Sequence, residues 1–271
     1  MFFSAKLGDL DVEFSIGKTS FQCVEMSHKL VFAENWHNSM RDFSYNVNKL
    51  FGRIREDFDL TQEPSNWVQV VVRIAFLFGL YSHMLQNNLL SSDSTFDVSV
   101  CADDFASPMA AWYARKMGLP IGNIICGCMD DDSLWELLHH KQLKKGNSSS
   151  FIERLIWETM GEEEMKSFYT ASSVYTPDEE KYHALCDGMF AAVVSQSRIS
   201  SIIRNVYKTS GYMLSKESAV AYSALQDFRS SSGAGITTLI LCEKCPVLDC
   251  GEISSATGVS ELDIKLKFGS V

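Results

Sequence analysis

The sequence predicts an α/β fold of three layers, in which helices cover both faces of a mostly parallel β-sheet. Strand-like and helical patterns alternate between residues 97 and 141, which is typical of parallel sheets with crossover helices. The run Ile236–Cys242 is continuous and apolar up to its cysteine, apart from Thr237 and Thr238, as expected of a strand buried on both faces. The 271 residues are enough to bury one large core or two smaller ones.

The first elements follow from hydrophobic periodicity. Asp11–Ile16 alternates between apolar and polar residues and predicts a strand that Gly17 ends, and Leu30–Ala33 predicts a second, shorter strand. Apolar residues at helical spacing predict a helix over Asn38–Asp57. A long apolar helix begins at Trp67, with Pro64 just outside it.

The middle and late elements are predicted by the same two periodicities. Strands are predicted over Asp97–Ala102 and Asn123–Cys128, and helices over Ser107–Met117, Asp131–Lys141, Phe151–Phe168, Asp178–Val194, Ser197–Tyr207 and Ser215–Phe228. Gly118 and Pro120 are a strong stop signal for the helix that precedes them. The carboxylates of residues 130–132 favour a helix N-terminus, where the dipole stabilises negative charge.

Composition and charge exclude several classes of protein. A net charge of −10 argues against nucleic acid and anionic membrane as partners, because both require a basic face. Gln69, Arg73 and His83 interrupt the apolar stretch Val68–Leu85, which favours a buried helix over a membrane span. Without a signal peptide or a need for disulfides in a chain of this length, the eight cysteines predict reduced thiols in a cytoplasmic protein.

The segment Val98–Ile121 carries the most informative pattern. A buried strand, a tight loop and a helix usually present an anionic ligand to the N-terminus of the helix. Here the loop contains Asp103 and Asp104 and no glycine, so two carboxylates stand where a phosphate is expected.

Other residue patterns leave weaker alternatives open. Cys126, Cys128, Cys242 and Cys245 supply four sulfurs for zinc, but their spacing is not that of a zinc ribbon, and we predict no metal site. The pair Cys242 and Cys245 also matches a redox motif, although it follows a late strand rather than opening a helix. Lys18 follows a strand but has no neighbouring motif that supports a Schiff base.

Several segments, in order along the chain from about Asp11 to Gly258, resemble threonine synthase and the animal threonine synthase-like proteins. The resemblance is carried by Ser65–Tyr81, Val100–Ile121, Ser150–Trp157, Ser210–Ala221 and Leu239–Asp249. The run Ala110–Ile121, which reads Ala-Ala-Trp-Tyr-Ala-Arg-Lys-Met-Gly-Leu-Pro-Ile, matches best.

This resemblance implies a tryptophan-synthase-β-like fold, the type II fold of pyridoxal-phosphate enzymes. Family members convert O-phosphohomoserine to threonine or act as phospho-lyases on related substrates. Residues 1–60 would then be a remnant of the small domain, and residues 61–271 the large α/β domain. The family's lysine segment lies upstream of the region that matches Asp11, so the resemblance implies an N-terminally truncated, incomplete small domain.

The departures from the family lie where the cofactor would bind. The family's phosphate loop, Gly-Asn-Phe-Gly-Asn, corresponds to Asp103, Asp104, Phe105, Ala106 and Ser107, of which only the phenylalanine is retained. The threonine near the pyridine nitrogen corresponds to Glu243. The family's later histidine and lysine correspond to Cys245 and Leu248.

Three functional hypotheses follow from these departures. We expect a threonine synthase-like protein without a cofactor or catalytic residues, which serves as a binding or regulatory module. The alternative is a diverged enzyme or ligand binder, in which Asp103, Asp104, Glu217 and Glu243 meet a cationic ligand or metal. An active pyridoxal-phosphate enzyme is the least favoured. Apolar surface left by truncation would favour a homo-oligomer or a protein partner.

Overall fold

A computed structural model gives the fold of most of the chain. It describes residues 2–7, 10–15, 21–25, 29–33, 67–103, 105–129, 133–144, 150–233, 235–242 and 244–268. The predicted helix over Asn38–Asp57 and the alternative Schiff-base residue Lys18 lie outside the described residues.

Within the described residues, ten strands form one large sheet and two small antiparallel pairs. In chain order they are β1 (Phe2–Leu7), β2 (Leu10–Ser15), β3 (Phe21–Glu25), β4 (Lys29–Ala33), β5 (Phe96–Cys101), β6 (Ile121–Cys128), β7 (Leu143–Lys144), β8 (Val174–Tyr175), β9 (Met189–Val193) and β10 (Thr238–Leu241). The large sheet has the order β3-β4-β10-β5-β6-β9. Strands β4 to β9 in this order are parallel, and β3 is an antiparallel strand at the edge.

The described α-helices are 8 to 20 residues long, and α1 is the longest. They are α1 (Trp67–Gln86), α2 (Ala106–Lys116), α3 (Ser133–His140), α4 (Ser150–Met160), α5 (Glu162–Thr170), α6 (Glu179–Cys186), α7 (Gln196–Ser210), α8 (Lys216–Ser232), α9 (Cys250–Thr257) and α10 (Glu261–Phe268). A 3₁₀ turn over Pro246–Asp249 precedes α9.

The sheet has a hydrophobic core on each face, which confirms the predicted three-layer α/β class. Along β5, Val98 and Val100 belong to the core beneath α1 and α2, whereas Cys101 belongs to the core beneath α7 and α8. Strand β10 alternates in the same way, and all four of its residues are buried. A strand buried on both faces explains why this segment reads as an apolar run.

Two of the predicted helices are wrong in extent or type. The segment Phe151–Phe168 is not one helix, because Gly161, with φ +85°, separates α4 from α5. The segment Asp178–Val194 ends as a helix at Cys186, turns at Gly188 with φ +64°, and continues as β9. The end of this segment is a strand because it pairs with β6. Without that pairing, a short apolar run is compatible with either a helix or a strand.

The predicted small-domain remnant, residues 1–60, includes strand β4. Strand β4 pairs in parallel with β10, so these residues extend the main sheet. The predicted boundary near residue 60 lies outside the described residues and stays a prediction.

Two further predictions concern the surface. Across the described part of the chain, no helix combines the length and apolarity that a membrane crossing requires. Trp67, Val71 and Phe78 are exposed along one side of α1, by 40%, 47% and 37%. An oligomer or protein partner, expected from exposed apolar surface, stays a prediction.

Candidate functional site

The predicted site residues that the structure describes lie at the carboxyl edge of the sheet, the border where its parallel strands end. Strands β5, β6 and β10 run in the same direction, so the loops after Cys101, Cys128 and Leu241 share this edge. The contact between Lys244 and Glu217, described below, places the start of α8 there as well. In open α/β sheets, ligands bind outside the carboxyl ends of the strands.

A hydrogen bond from the residue after the neighbouring strand β6 fixes the side chain of Asp103. Its Oδ1 accepts a hydrogen bond of 3.3 Å from the backbone N–H of Met129, the residue after β6. The N–H of Ala102 donates to the carbonyl of Gly127 at 2.8 Å, which continues the sheet pairing up to this point. The loop is therefore tied to β6, and Asp104 lies outside the described residues.

The start of α2 has an unusual conformation. Phe105 is its N-cap residue, with φ 56° and ψ 0°, in the left-handed region that non-glycine residues rarely adopt. The phenylalanine is 1% exposed and Ala106 is fully buried, so packing of the ring stabilises the strained backbone. The side chain of Phe105 cannot cap the helix, and the first turn of α2 contains no acidic residue.

Ser107 is the buried polar residue of this first helical turn. It is fully buried, and its Oγ has no hydrogen-bond partner. Burying a hydroxyl without a hydrogen-bond partner lowers the free energy of unfolding by about 1–3 kcal/mol, so Ser107 destabilises the fold locally. Of the five predicted loop positions, Asp103 and Phe105 thus lie in the loop between β5 and α2, and Ala106 and Ser107 are the first two residues of α2.

An ion pair that the sequence did not predict joins the end of β10 to the start of α8. Nζ of Lys244 donates to Oε1 of Glu217 at 2.5 Å, and the glutamate is only 6% exposed. This hydrogen bond raises the pKa of Lys244. The second carboxylate oxygen of Glu217 is buried and has no hydrogen-bond partner. Glu243, the predicted neighbour of a pyridine nitrogen, lies outside the described residues.

Sequence reasoning missed Lys244 because the pair spans 27 residues. The only local indication that Lys244 forms an ion pair is its position in the sequence. It lies three residues after a buried strand, at the border of the sheet where several carboxylates lie. The sequence pattern places Glu217 only opposite a cationic ligand, and the structure places it opposite Lys244.

Asp249 adds negative charge near the same pair. Its Oδ2 accepts a hydrogen bond of 3.1 Å from the backbone N–H of Lys216, at the first residue of α8. Burial is the main cause that raises the pKa of Asp249, and the charges of Glu217 and Glu252 raise it further. The start of α8 is therefore an acidic environment in which a carboxylate is partly disfavoured.

We expect Asp249 to make folding stability depend on pH. An acid with a raised pKa in the folded state adds stability below its unfolded pKa of 3.8. That stability is lost as the pH rises through the raised folded value. The unfolding free energy of the wild type minus that of Asp249→Asn, which keeps an acceptor for Lys216, should fall as the pH rises above about 3.8. Urea unfolding at several pH values tests this, and a difference that rises with pH would contradict it.

The cysteines proposed as an alternative zinc site are buried. Cys126 and Cys128 are fully buried on β6, and Cys242 and Cys245 are 7% and 1% exposed near the end of β10. Burial raises the pKa of the Cys126 thiol well above its usual range, which disfavours the thiolate that a metal requires. Within the described residues, no three His, Cys, Asp or Glu side chains are grouped to hold a metal ion.

Comparison with known proteins identifies relatives of low sequence identity. No protein-family model matches the chain. Human threonine synthase-like 1 is 25% identical over 175 residues, which are 58% of this chain and 24% of that protein. Threonine synthase of Pseudomonas aeruginosa is 23% identical over 191 residues, which are 64% of this chain and 40% of that protein. The chain thus spans a quarter to two fifths of the length of these relatives.

Solved structures support the fold independently. PLP-bound threonine synthase from Brucella melitensis superposes with a TM-score of 0.64 and 20% identity, covering 86% of this chain and 52% of that one. Threonine synthase from yeast superposes with a TM-score of 0.62 and 19% identity, covering 72% of this chain and 44% of that one. The chain therefore has the fold of the threonine synthases, a type II pyridoxal-phosphate fold, and resembles threonine synthase and threonine synthase-like 1 in sequence.

Proposed function

We propose that this chain is a threonine synthase-like protein that has lost pyridoxal-phosphate catalysis and acts as a binding or regulatory module. The observation that carries the proposal is the Asp103 carboxylate, which stands two residues before the N-cap of α2. The relatives name the family and its cofactor, but they supply no function for this chain.

The residues at this edge do not fit the phosphate group of the cofactor. Phosphate binding at a helix start depends on free backbone N–H groups and on the absence of competing negative charge. Asp103 brings a carboxylate to this position, and like charges about 4 Å apart near a surface repel by about 4 kcal/mol. Pro108 also removes the N–H of the third helical residue.

Lys244 does not fit the role of a Schiff-base lysine either. Formation of an imine with a carbonyl requires the neutral amine, and enzymes provide it by lowering the pKa of the lysine. The ion pair with Glu217 acts in the opposite direction, because it raises the pKa of Lys244. This lysine therefore serves as a structural cation between β10 and α8.

A second candidate function is supported by the carboxylates around α8. Glu217 has a buried oxygen without a partner, and Asp249 and Glu252 add two further negative charges beside it. Lys216 and Lys244 supply two positive charges, so one more cation would neutralise this group. A diverged module that binds a small amine is the alternative to a module that binds no small ligand.

Absorbance spectroscopy with added pyridoxal phosphate tests the main proposal. We expect no band at about 410–430 nm and no borohydride-stable adduct beyond the background of surface lysines. Lys244→Met is the matched control, because surface adducts persist in it whereas an adduct at this edge would disappear. A stoichiometric, borohydride-reducible lysine adduct in the wild type would overturn the proposed loss of catalysis.

A further inference from the structure

Two cysteines lie side by side where β5 and β10 end at the carboxyl edge of the sheet. The two strands are parallel, and their paired residues, such as Ser99 and Ile240, are 141 positions apart. Cys101 and Cys242 have the same separation, so the register sets one beside the other. Pairing of β5 with β6 continues to Cys101, and pairing of β10 with β4 continues to Leu241, so both strands are still regular at this point.

The two cysteine side chains also lie on the same face of the sheet. Cys101 and Cys242 belong to the core beneath α7 and α8, whereas Cys126 and Cys128 of β6 belong to the core on the other face. Neighbouring strands are about 4.8 Å apart, and a disulfide requires Cα atoms about 4.4–6.8 Å apart. The strand spacing therefore permits a bond between Cys101 and Cys242, which are both reduced in the structure.

Lys244 places a positive charge near the first of these thiols. The hydrogen bond with Glu217 is the main cause that raises the pKa of Lys244, and the charge of the Cys101 thiolate raises it further. The attraction is mutual, so the lysine stabilises this thiolate and offsets part of the cost of its burial. Because the thiolate is the nucleophile in thiol oxidation, the charge favours Cys101 as the thiol that reacts first.

Contacts on β10 and at the end of α7 fix the position of the second thiol. Sγ of Cys242 lies 3.7 Å from the hydroxyl oxygen of Tyr212 and 3.9 Å from the carbonyl oxygen of Ile240. Cys242 is 7% exposed and Cys101 is 4% exposed. This degree of burial favours a small oxidant such as hydrogen peroxide over a bulky one.

We propose that Cys101 and Cys242 are an oxidation site, at which hydrogen peroxide forms a reversible disulfide that links β5 to β10. The Cys101 thiolate attacks a peroxide oxygen, the O–O bond breaks, and the leaving hydroxide takes up the proton that the thiol released. The Cys242 sulfur then attacks the sulfenic acid on Cys101, the S–S bond forms and the S–O bond breaks. The departing hydroxide takes the Cys242 proton, so two thiols are oxidised and one peroxide is reduced to two waters.

The strand geometry also makes this disulfide easy to reduce. Side chains at paired positions of parallel strands run alongside each other and do not converge, so the bond closes under strain. Strained disulfides are reduced more readily than relaxed ones. The link would tie together the loops that carry Asp103 and Lys244 without the participation of a cofactor, so it does not depend on the proposed loss of catalysis.

Oxidation of the full chain with hydrogen peroxide, followed by alkylation and peptide mapping by mass spectrometry, tests the proposal. We expect a linked peptide pair that contains Cys101 and Cys242 and has lost two hydrogen atoms. Cys101→Ala and Cys242→Ala should each abolish the link, and Cys242→Ala should accumulate a sulfenic acid on Cys101 that reacts with dimedone. A link between Cys242 and Cys245 in its place, or no link in the folded protein, would overturn the proposal.

Two other cysteines provide the matched controls. Cys245 follows Cys242 by three residues, and Cys128 lies at the end of β6 but in the core on the other face. Cys245→Ala and Cys128→Ala should both retain the link. In concentrated urea the wild type should give mixed pairings, because the register no longer selects one partner. Circular dichroism checks that each variant is folded, and the wild-type map decides the pairing without any substitution.

Reduction of the oxidised protein without denaturant tests the reversibility. We expect dithiothreitol to break the link while the chain stays folded, as followed by circular dichroism and by the recovery of two alkylatable thiols. A link that dithiothreitol breaks only after unfolding in urea would contradict the reversible role.

Discussion

Replacing Gly127 with alanine should lower the free energy of unfolding by about 1–3 kcal/mol. A Cβ atom at this position would lie 2.6 Å from Cγ1 of Val220 and 2.7 Å from its backbone oxygen. The side chain can rotate away, but the backbone of α8 cannot move without disturbing its packing on β5 and β6. Urea unfolding followed by circular dichroism measures the loss.

Gly251 offers the matched glycine control for this substitution. It lies in α9, and an added Cβ would meet only the Glu261 carboxylate at 3.6 Å, an ordinary contact. Gly251→Ala should therefore be neutral or stabilising by up to about 1 kcal/mol. A Gly127→Ala variant that loses less than about 1 kcal/mol would contradict the close approach of β6 and α8.

Replacing Lys244 with methionine should lower the free energy of unfolding by about 2 kcal/mol. The change leaves the carboxylate of Glu217, which is 6% exposed, without its positive partner. Breaking a fully buried pair costs more, but 54% of the Lys244 side chain is exposed, which reduces the loss through solvent screening.

A double-mutant cycle separates this pair from other effects of the substitution. Glu217→Gln combined with Lys244→Met should recover most of the lost stability, because no unpaired buried charge remains. Lys166→Met is the exposed counterpart, since Lys166 pairs with Glu162 at 2.7 Å on the surface of α5 and should cost less than about 0.5 kcal/mol. Equal losses in Lys166→Met and Lys244→Met would show that the burial of Glu217 has no energetic effect.

Local patterns were sufficient to predict the strand, loop and helix that position the candidate site. The apolar run before Asp103 and the stop signals at Gly118 and Pro120 act within a few residues, so each can be recognised in the sequence alone. Strand β9 could not be predicted in the same way. Its five residues gain their structure from pairing with β6, in which each residue pairs with one that lies 65 positions earlier in the chain.

The contacts that define the candidate site were beyond sequence patterns for the same reason. The hydrogen bond from Met129 to Asp103 joins residues 26 apart, and the pair of Lys244 with Glu217 joins residues 27 apart. The sequence shows a loop with the wrong charge for phosphate. Only the fold shows that the carboxylate is fixed by β6 and that Ser107 is buried without a partner.

The position of β10 in the sheet has a consequence for synthesis of the protein. This strand comes late in the chain, yet it lies between β4 and β5, which are made long before it. Until it emerges from the ribosome, a nascent chain exposes two unpaired strand edges that can pair with other chains. Closing a loop of about 200 residues to insert the strand is slow, so the newly made chain should depend on chaperones until β10 has been synthesised and paired.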